Sequence, residues 1–278
     1  MKRNFVIIIF ILVSILGIII KYNNAQTEVA DEKEAVSQQA APASGSKSVS
    51  SASYGAEGKC IKGDCVNGKG VMEYPDGEQF SGEFQEGKIK GQGTYIFSNG
   101  EIYTGEFNKG EPNGSGVHTY PSGEKYEGEF KNSLYHGKGT QTFSDGRKYV
   151  GEFNNGKADG MGTMTLANGE KYVGEFADGM GNGKGKYTFP NGTLYEGEWK
   201  DFKYHGYGRI TFSKGEYVGD FKNGKRDGQG KIVFSDGEVY EGSWKDDKKH
   251  GIGALITATG EKYEGEWQED KYIESNKK

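Results

Sequence analysis

From residue 80 onward the apolar positions of the chain fall in one repeated order. An aromatic residue opens each stretch, glycine stands two places later, and a second aromatic two places after that. Two glycines separated by one residue follow, and a last glycine, usually preceded by Asn, Asp or Ser, stands just before the next opener. The openers are Phe80, Tyr103, Tyr126, Tyr149, Tyr172, Tyr195, Tyr217, Tyr240 and Tyr263, 23 residues apart except for 22 between Tyr195 and Tyr217. Counting the opener as position 1, position 5 is Phe84, Phe107, Phe130, Phe153, Phe176, Trp199, Phe221, Trp244 or Trp267. Position 3 is Gly82, Gly105, Gly128, Gly151, Gly174, Gly197, Gly219 or Gly242, and position 14 is Gly93, Gly116, Gly139, Gly162, Gly185, Gly208, Gly230 or Gly253. A period so far below domain size predicts a repeat architecture in which each unit leans on its neighbours.

Alternating aromatics around a turn glycine signal a β-hairpin, and two registers compete for it. A two-residue loop would place position 19 inside a strand, yet that position is Pro75, Pro121 or Pro190. Proline suits the first corner of a type I turn with the following glycine in the left-handed bulge place, so a three-residue loop is expected. Position 18 then faces 22, 16 faces the next opener, 14 faces the next position 3, and 12 faces the next position 5. Residues two apart share a face of a strand. Tyr149, Gly151 and Phe153 therefore line one side with Gly137, Gly139, Gln141 and Phe143, leaving Val150, Glu152, Lys138, Thr140 and Thr142 on the other. Gly139 and Gly151 are expected opposite each other beneath the rings of Tyr149 and Phe153.

The Y-x-G-E-F/W, G-x-G and D/N-G signatures resemble the MORN (membrane occupation and recognition nexus) repeat, from about Gly63 to Trp267. The departures are Ser133, Phe202 and Asp247 at a usual glycine, Ser243 for Glu, and Thr257 for an aromatic. The resemblance implies an all-β fold: an elongated, twisted, single-layer antiparallel sheet of tandem hairpins. A partial unit is visible at Gly68, Gly70, Tyr74 and Pro75-Asp76-Gly77.

The start of the chain is a different material. After Lys2 and Arg3, the run Phe5 to Ile20 is broken only by Ser14 and Gly17 and is followed by Lys21. Residues 1–25 read as a signal peptide or an uncleaved helical anchor. Asn23 fits poorly before a cleavage site at Ala25, which favours the anchor, and Lys2 and Arg3 hold the short end in the cytoplasm. Residues 26–58, rich in Ala, Ser and Gln, read as a disordered tether. An exported location makes Cys60 and Cys65, the only cysteines, a disulfide that caps the open end of the array within residues 59–79. Eight repeats and a half fill 80–267, and 268–278 read as a polar tail.

Composition changes the picture in two ways. With 47 glycines, 18 tyrosines, 15 phenylalanines and 33% hydrophobic residues, the apolar content is carried by rings. A net charge of −5 gives no basic footprint for nucleic acid.

Several motifs deflate. G-x-x-x-x-G-K occurs at Gly63, Gly82, Gly151 and Gly219, but Ser or Thr never follows and no helix is signalled after it, so nucleotide binding is not expected. His136, His205 and His250 fall in separate units and cannot share a metal. The position-4 Glu row reads as a solvated face. Asn113 and Asn191 match glycosylation sequons, which matter only in a eukaryotic secretory host.

No catalytic residue and no cofactor is expected. A kinase or methyltransferase that such repeats accompany elsewhere has no room after Trp267. The expected role is a membrane-anchored, extracytoplasmic scaffold whose aromatic and glycine face meets a protein partner or a second copy. The alternative is a phospholipid binder, for which Lys225-Arg226 and Lys248-Lys249 would supply head-group charge. A place as accessory subunit to a separate lipid kinase-like enzyme ranks below both.

Overall fold

In the computed structural model, residues 48–49 and 57–273 are described. The expected signal or anchor helix lies outside them, as do residues 26–47 and 50–56 of the tether. Among the described residues no helix is long and apolar enough to cross a membrane, and all the regular structure is strand.

Residues 41–185 and 186–278 form two compact units. The first holds β1 (Lys59–Gly63), β2 (Lys69–Glu73), β3 (Gln79–Gln85), β4 (Lys88–Ile96), β5 (Ile102–Asn108), β6 (Glu111–Thr119), β7 (Lys125–Lys131), β8 (Leu134–Thr142), β9 (Lys148–Asn154), β10 (Lys157–Thr165) and β11 (Lys171–Ala177). Strand β12 (Met180–Thr188) contains the boundary. The second holds β13 (Leu194–Lys200), β14 (Lys203–Phe212), β15 (Gly215–Lys222), β16 (Lys225–Phe234), β17 (Val239–Lys245), β18 (Lys248–Ile256), β19 (Lys262–Gln268) and β20 (Lys271–Ile273). Within each unit, successive strands pair antiparallel in chain order.

The register is the expected one. Met164 faces Tyr172, Gly162 faces Gly174, and Gly160 faces Phe176. At the turn between them, Leu166 N–H donates to Glu170 O at 2.8 Å and Gly169 N–H to Leu166 O at 3.0 Å. Gly169 has φ 89°, the left-handed bulge place that requires glycine.

The opposite hairpin ends are two-residue turns. Lys131 pairs with Leu134 around Asn132 and Ser133, at φ 49° and 64°. Phe202 and Asp247 take the same left-handed place as Ser133, at 55° and 70°. These tips are also tied sideways. Ser133 N–H donates to Pro112 O at 2.9 Å, Gly156 N–H to Tyr135 O at 2.8 Å, and Asp247 N–H to Arg226 O at 2.9 Å.

Each repeat also carries a bulge. In β9 and β10, Gly151 pairs with Gly162 and Phe153 with Ala158, so extra residues of β10 bow out opposite Glu152. The signature residues satisfy this irregular backbone. The Tyr149 hydroxyl donates to Glu152 O at 2.9 Å, as Tyr126 does to Glu129 O at 2.9 Å and Tyr240 to Ser243 O at 3.0 Å. On the far side, the Glu129 carboxylate accepts Lys138 N–H at 3.0 Å and the Glu175 carboxylate accepts Lys184 N–H at 3.0 Å. Glu129, Glu152 and Glu175 stand exposed, as expected of a solvated face, and Glu129 and Glu175 act in addition as acceptors for the bulged backbone.

Two boundaries differ from expectation. Residues 268–278 do not begin as a tail: β20 pairs with β19, and the Tyr272 ring lies 5.4 Å from that of Trp267. The short Lys-Tyr-Ile run suffices because the last repeat has an open edge to cover. Ser48, placed in the tether, bridges Leu134 on the third complete hairpin.

Candidate functional site

The aromatic row lies on one side of the strands, as the alternation requires, but it is not an open surface. Among the eighteen aromatics of positions 1 and 5, only Tyr263 is exposed, at 37%; the openers Tyr103, Tyr126, Tyr195, Tyr217 and Tyr240 are at 0%. The rings cover one another. Tyr149 meets Phe153 of its own repeat edge to face at 5.0 Å and Phe176 of the next at 4.9 Å. Tyr195 meets Trp199 at 5.0 Å and Phe221 at 5.2 Å in the same way. Edge-to-face pairs of this geometry each add about 1 kcal/mol beyond their buried area. The face expected to receive a partner is thus spent on the protein's own core.

The glycines make this possible. A Cβ on Gly151 would stand 2.5 Å from the Tyr149 hydroxyl oxygen and 2.6 Å from Gly162 Cα, and one on Gly162 would enter the Tyr149 ring. Each opener therefore leans forward, over position 3 of its own strand and position 14 of the next. Gly139 faces Gly151 across the ladder, but the ring above Gly139 is that of Tyr126. This corrects the placement of Gly139 beneath Tyr149.

Position 10 fills the space between openers and varies widely. Tyr135 stacks on Tyr126 at 3.7 Å, and Tyr204 on Tyr195 at 3.8 Å. In the last repeats the filler is cationic. Arg226 is 2% exposed, its guanidinium 4.5 Å from the Trp244 ring centre and 5.5 Å from that of Tyr217. Lys249 is 3% exposed, its ammonium 5.2 Å from both Tyr240 and Trp267. Burial pushes the Lys249 pKa below its ordinary value, while Glu238 and Asp270 pull it back up. The remaining cations of the two basic pairs are matched: Lys225 reaches Asp246 at 2.9 Å and Lys248 reaches Glu269 at 3.3 Å. Neither pair is the surface basic patch expected for head groups.

A buried polar cluster escaped the sequence reading. His118, fully buried at position 16, approaches Glu101 Oε2 at 3.0 Å and the Tyr135 hydroxyl at 3.1 Å; Tyr135 also meets the Tyr120 hydroxyl at 3.0 Å. Gln141 donates to Glu124 at 2.7 Å, and Tyr95 to Glu78 at 2.5 Å. The available signal was a polar residue on the ring side, since such a group must find a partner there. Burial pushes Tyr120 up to about 12 and raises Tyr135 as well. A Glu-His-Tyr array can relay a proton, but His118 and Tyr135, at 0% exposure, are closed to solvent.

Cys60 and Cys65 are joined, their Cα atoms 5.9 Å apart. Cys60 lies in β1, paired with β2, and Cys65 is buried, beside Gly70. Among the described residues no group of three or more His, Cys, Asp or Glu could hold a metal. The stretch Gly151 to Lys157 spans β9, a hairpin tip and the start of β10, so no helix N-terminus faces it.

The face opposite the rings is the open one. In residues 186–278 a shallow groove crosses it, floored by Gly219, Gly230, Gly242 and Gly253 and bordered by Val218, Ala254, Tyr207 and Ile252. Tyr207 is 60% exposed and Ile252 69%, both at position 13 where the bulge turns the side chain outward. Gln229, Lys231, Glu241 and Glu264 edge the same groove.

No curated protein matches the chain. Solved structures align at low similarity. They include the wild-type TCP10 domain of Danio rerio CPAP, at 15% identity over 69% of this chain and 96% of that one, TM-score 0.34. The SAS-4 TCP domain of Drosophila Melanogaster, in complex with a proline-rich motif of Ana2, aligns at 12% identity over 79% and 95%, TM-score 0.29. At such scores neither likeness informs the fold or function of this chain. The repeats themselves are decisive: nine consecutive stretches, 67–79, 80–102, 103–125, 126–146, 149–171, 172–194, 195–216, 217–239 and 240–262, match the MORN repeat, and the chain belongs to the MORN repeat family.

Proposed function

We propose that this protein is a non-catalytic repeat scaffold, anchored at its N-terminus with the repeats outside the cytoplasm, that binds a protein through the open face of its strands. The observation that carries the reading is the division of labour between the faces. The ring side is consumed by internal packing, while Tyr207 and Ile252 stand exposed beside a glycine-floored groove. Exposed aromatic and aliphatic residues around a bare backbone floor suit an extended segment of a partner protein or of a second copy. The Cys60–Cys65 bond supports an oxidising compartment. Phospholipid recognition is disfavoured, because Arg226 and Lys249 are buried and Lys225 and Lys248 are paired.

Photo-crosslinking residues introduced at 207, 252 and, as a control, 61 in the full-length protein in its own cells test this. Adducts to a discrete protein, or to the chain itself, should form from 207 and 252 and not from 61. Ile252→Glu should lower the yield at 207 about tenfold, the effect of losing one buried aliphatic contact. Adducts to lipid alone, or equal labelling from all three sites, would refute the reading.

A further inference from the structure

Ser48 and Val49 precede the first strand, yet they sit on the tip of the β7–β8 hairpin. Ser48 forms an antiparallel bridge with Leu134, and Val49 N–H donates to Ser133 O at 2.9 Å. Val49 is 3% exposed. It is the only Val, Leu, Ile or Met between Val36 and Ile61, and its side chain is covered.

The receiving tip differs from the others in the residues that matter. At position 9, six tips carry lysine (Lys88, Lys157, Lys203, Lys225, Lys248 and Lys271), one carries Glu111 and one Met180; this one carries Leu134. At position 8, where glycine is usual, it carries Ser133 at φ 64°. Ser133 N–H donates to Pro112 O at 2.9 Å, as the same place does at other tips, while the Ser133 carbonyl accepts from Val49 N–H. An aliphatic side chain beside an accepting carbonyl is what an added strand residue needs: one backbone hydrogen bond and one apolar contact. A charged lysine at position 9 would deny the second.

We propose that the tip of the third complete repeat is a strand-acceptor site for an extended Ser-Val segment, and that its occupant is the protein's own Ser48–Val49, held as an intramolecular latch. The site is separate from the glycine-floored groove and stands whether or not that groove binds a protein. The latch joins the residues that follow the hydrophobic N-terminus to the third repeat, ahead of their connection to β1.

Hydrogen exchange and peptide binding on the full-length protein in detergent test the proposal. Within residues 44–53 the Val49 amide should be protected in the parent, independently of protein concentration, and lose that protection in Val49→Asp and in Leu134→Lys. Lysine is the residue the chain uses at six other tips, so Leu134→Lys should stay folded and melt with Val49→Asp, both losing only the latch's contribution. A labelled synthetic peptide of residues 44–53 should bind Val49→Asp at least roughly tenfold more tightly than it binds the parent, since the resident valine's burial no longer competes. It should not bind the Val49→Asp, Leu134→Lys double variant. Equal exchange of 44–53 in the parent and Val49→Asp would overturn the latch. Protection that grows with concentration would overturn the intramolecular assignment, and peptide binding unaffected by Leu134→Lys would overturn the site.

Discussion

Gly151 is required for want of space rather than for its backbone. It is not among the left-handed glycines, and an added Cβ would meet Gly162 Cα at 2.6 Å and Met161 O at 2.7 Å, main-chain atoms that cannot turn aside. Gly169 is the reverse case: φ is 89° and nothing lies within 4 Å of the added atom. Gly151→Ala should destabilise by about 2–3 kcal/mol through overpacking, and Gly169→Ala by about 1 kcal/mol through left-handed strain. Thermal unfolding of the two beside the parent separates them. If Gly151→Ala melts with the parent, the ring does not lie on the glycine.

At the scale of the hairpin, a departure from the repeat pattern turns out to be a coupling. Asp247 occupies a left-handed place that five other tips give to glycine, so taken alone Asp247→Gly should relieve roughly 1 kcal/mol of strain. Its carboxylate, however, accepts both the main-chain N–H of Arg226 at 3.0 Å and its Nε at 3.1 Å, on the preceding hairpin. Asp270 accepts Lys249 N–H at 2.8 Å in the same relation. Losing the partner of a buried cation outweighs the relieved strain, and Asp247→Gly should lower stability by about 2 kcal/mol net in urea unfolding. A variant as stable as the parent would show that the Trp244 ring alone holds the guanidinium.

For the whole molecule the buried phenols set an upper pH limit. Burial raises the folded-state pKa of Tyr103, Tyr126, Tyr149, Tyr172, Tyr217 and Tyr240 above the ordinary 10.0, and Tyr120 reaches about 12. A raised folded-state value means that the unfolded chain releases its protons first. The stability these groups contribute is whole below pH 10 and falls as pH rises, by roughly 1.4 kcal/mol per phenol per pH unit until the folded-state value is reached. Depression of Lys249 acts the other way, but only as pH rises toward its ordinary 10.5, and it adds nothing further above that. Unfolding should therefore be abrupt just above pH 10, with phenolate absorbance appearing together with loss of strand signal. Phenolate forming well before the strands are lost would mean that the rings are accessible.

Much of the architecture is a local matter, and the sequence by itself determined it. Pro75, Pro121 and Pro190 exclude the two-residue loop, the loop fixes the register, and a period of two assigns every residue to a face. What tertiary structure decided is what covers each face. A strand pattern places Tyr149 and Phe176 on the same side without saying that they touch, and their 4.9 Å contact turns a surface offered to partners into a core. The buried cations were hidden for the same reason: Arg226 and Lys249 read as tip charges until the next repeat's Trp244 and Trp267 close over them. His118 found Glu101 and Tyr135 only once separate hairpins were in register. Ser48–Val49 lay hidden in a polar stretch, because an isolated bridge has no period to recognise and its partner is 86 residues away at Leu134. Local rules set which way a side chain points; only packing between repeats settles whether water or another ring meets it.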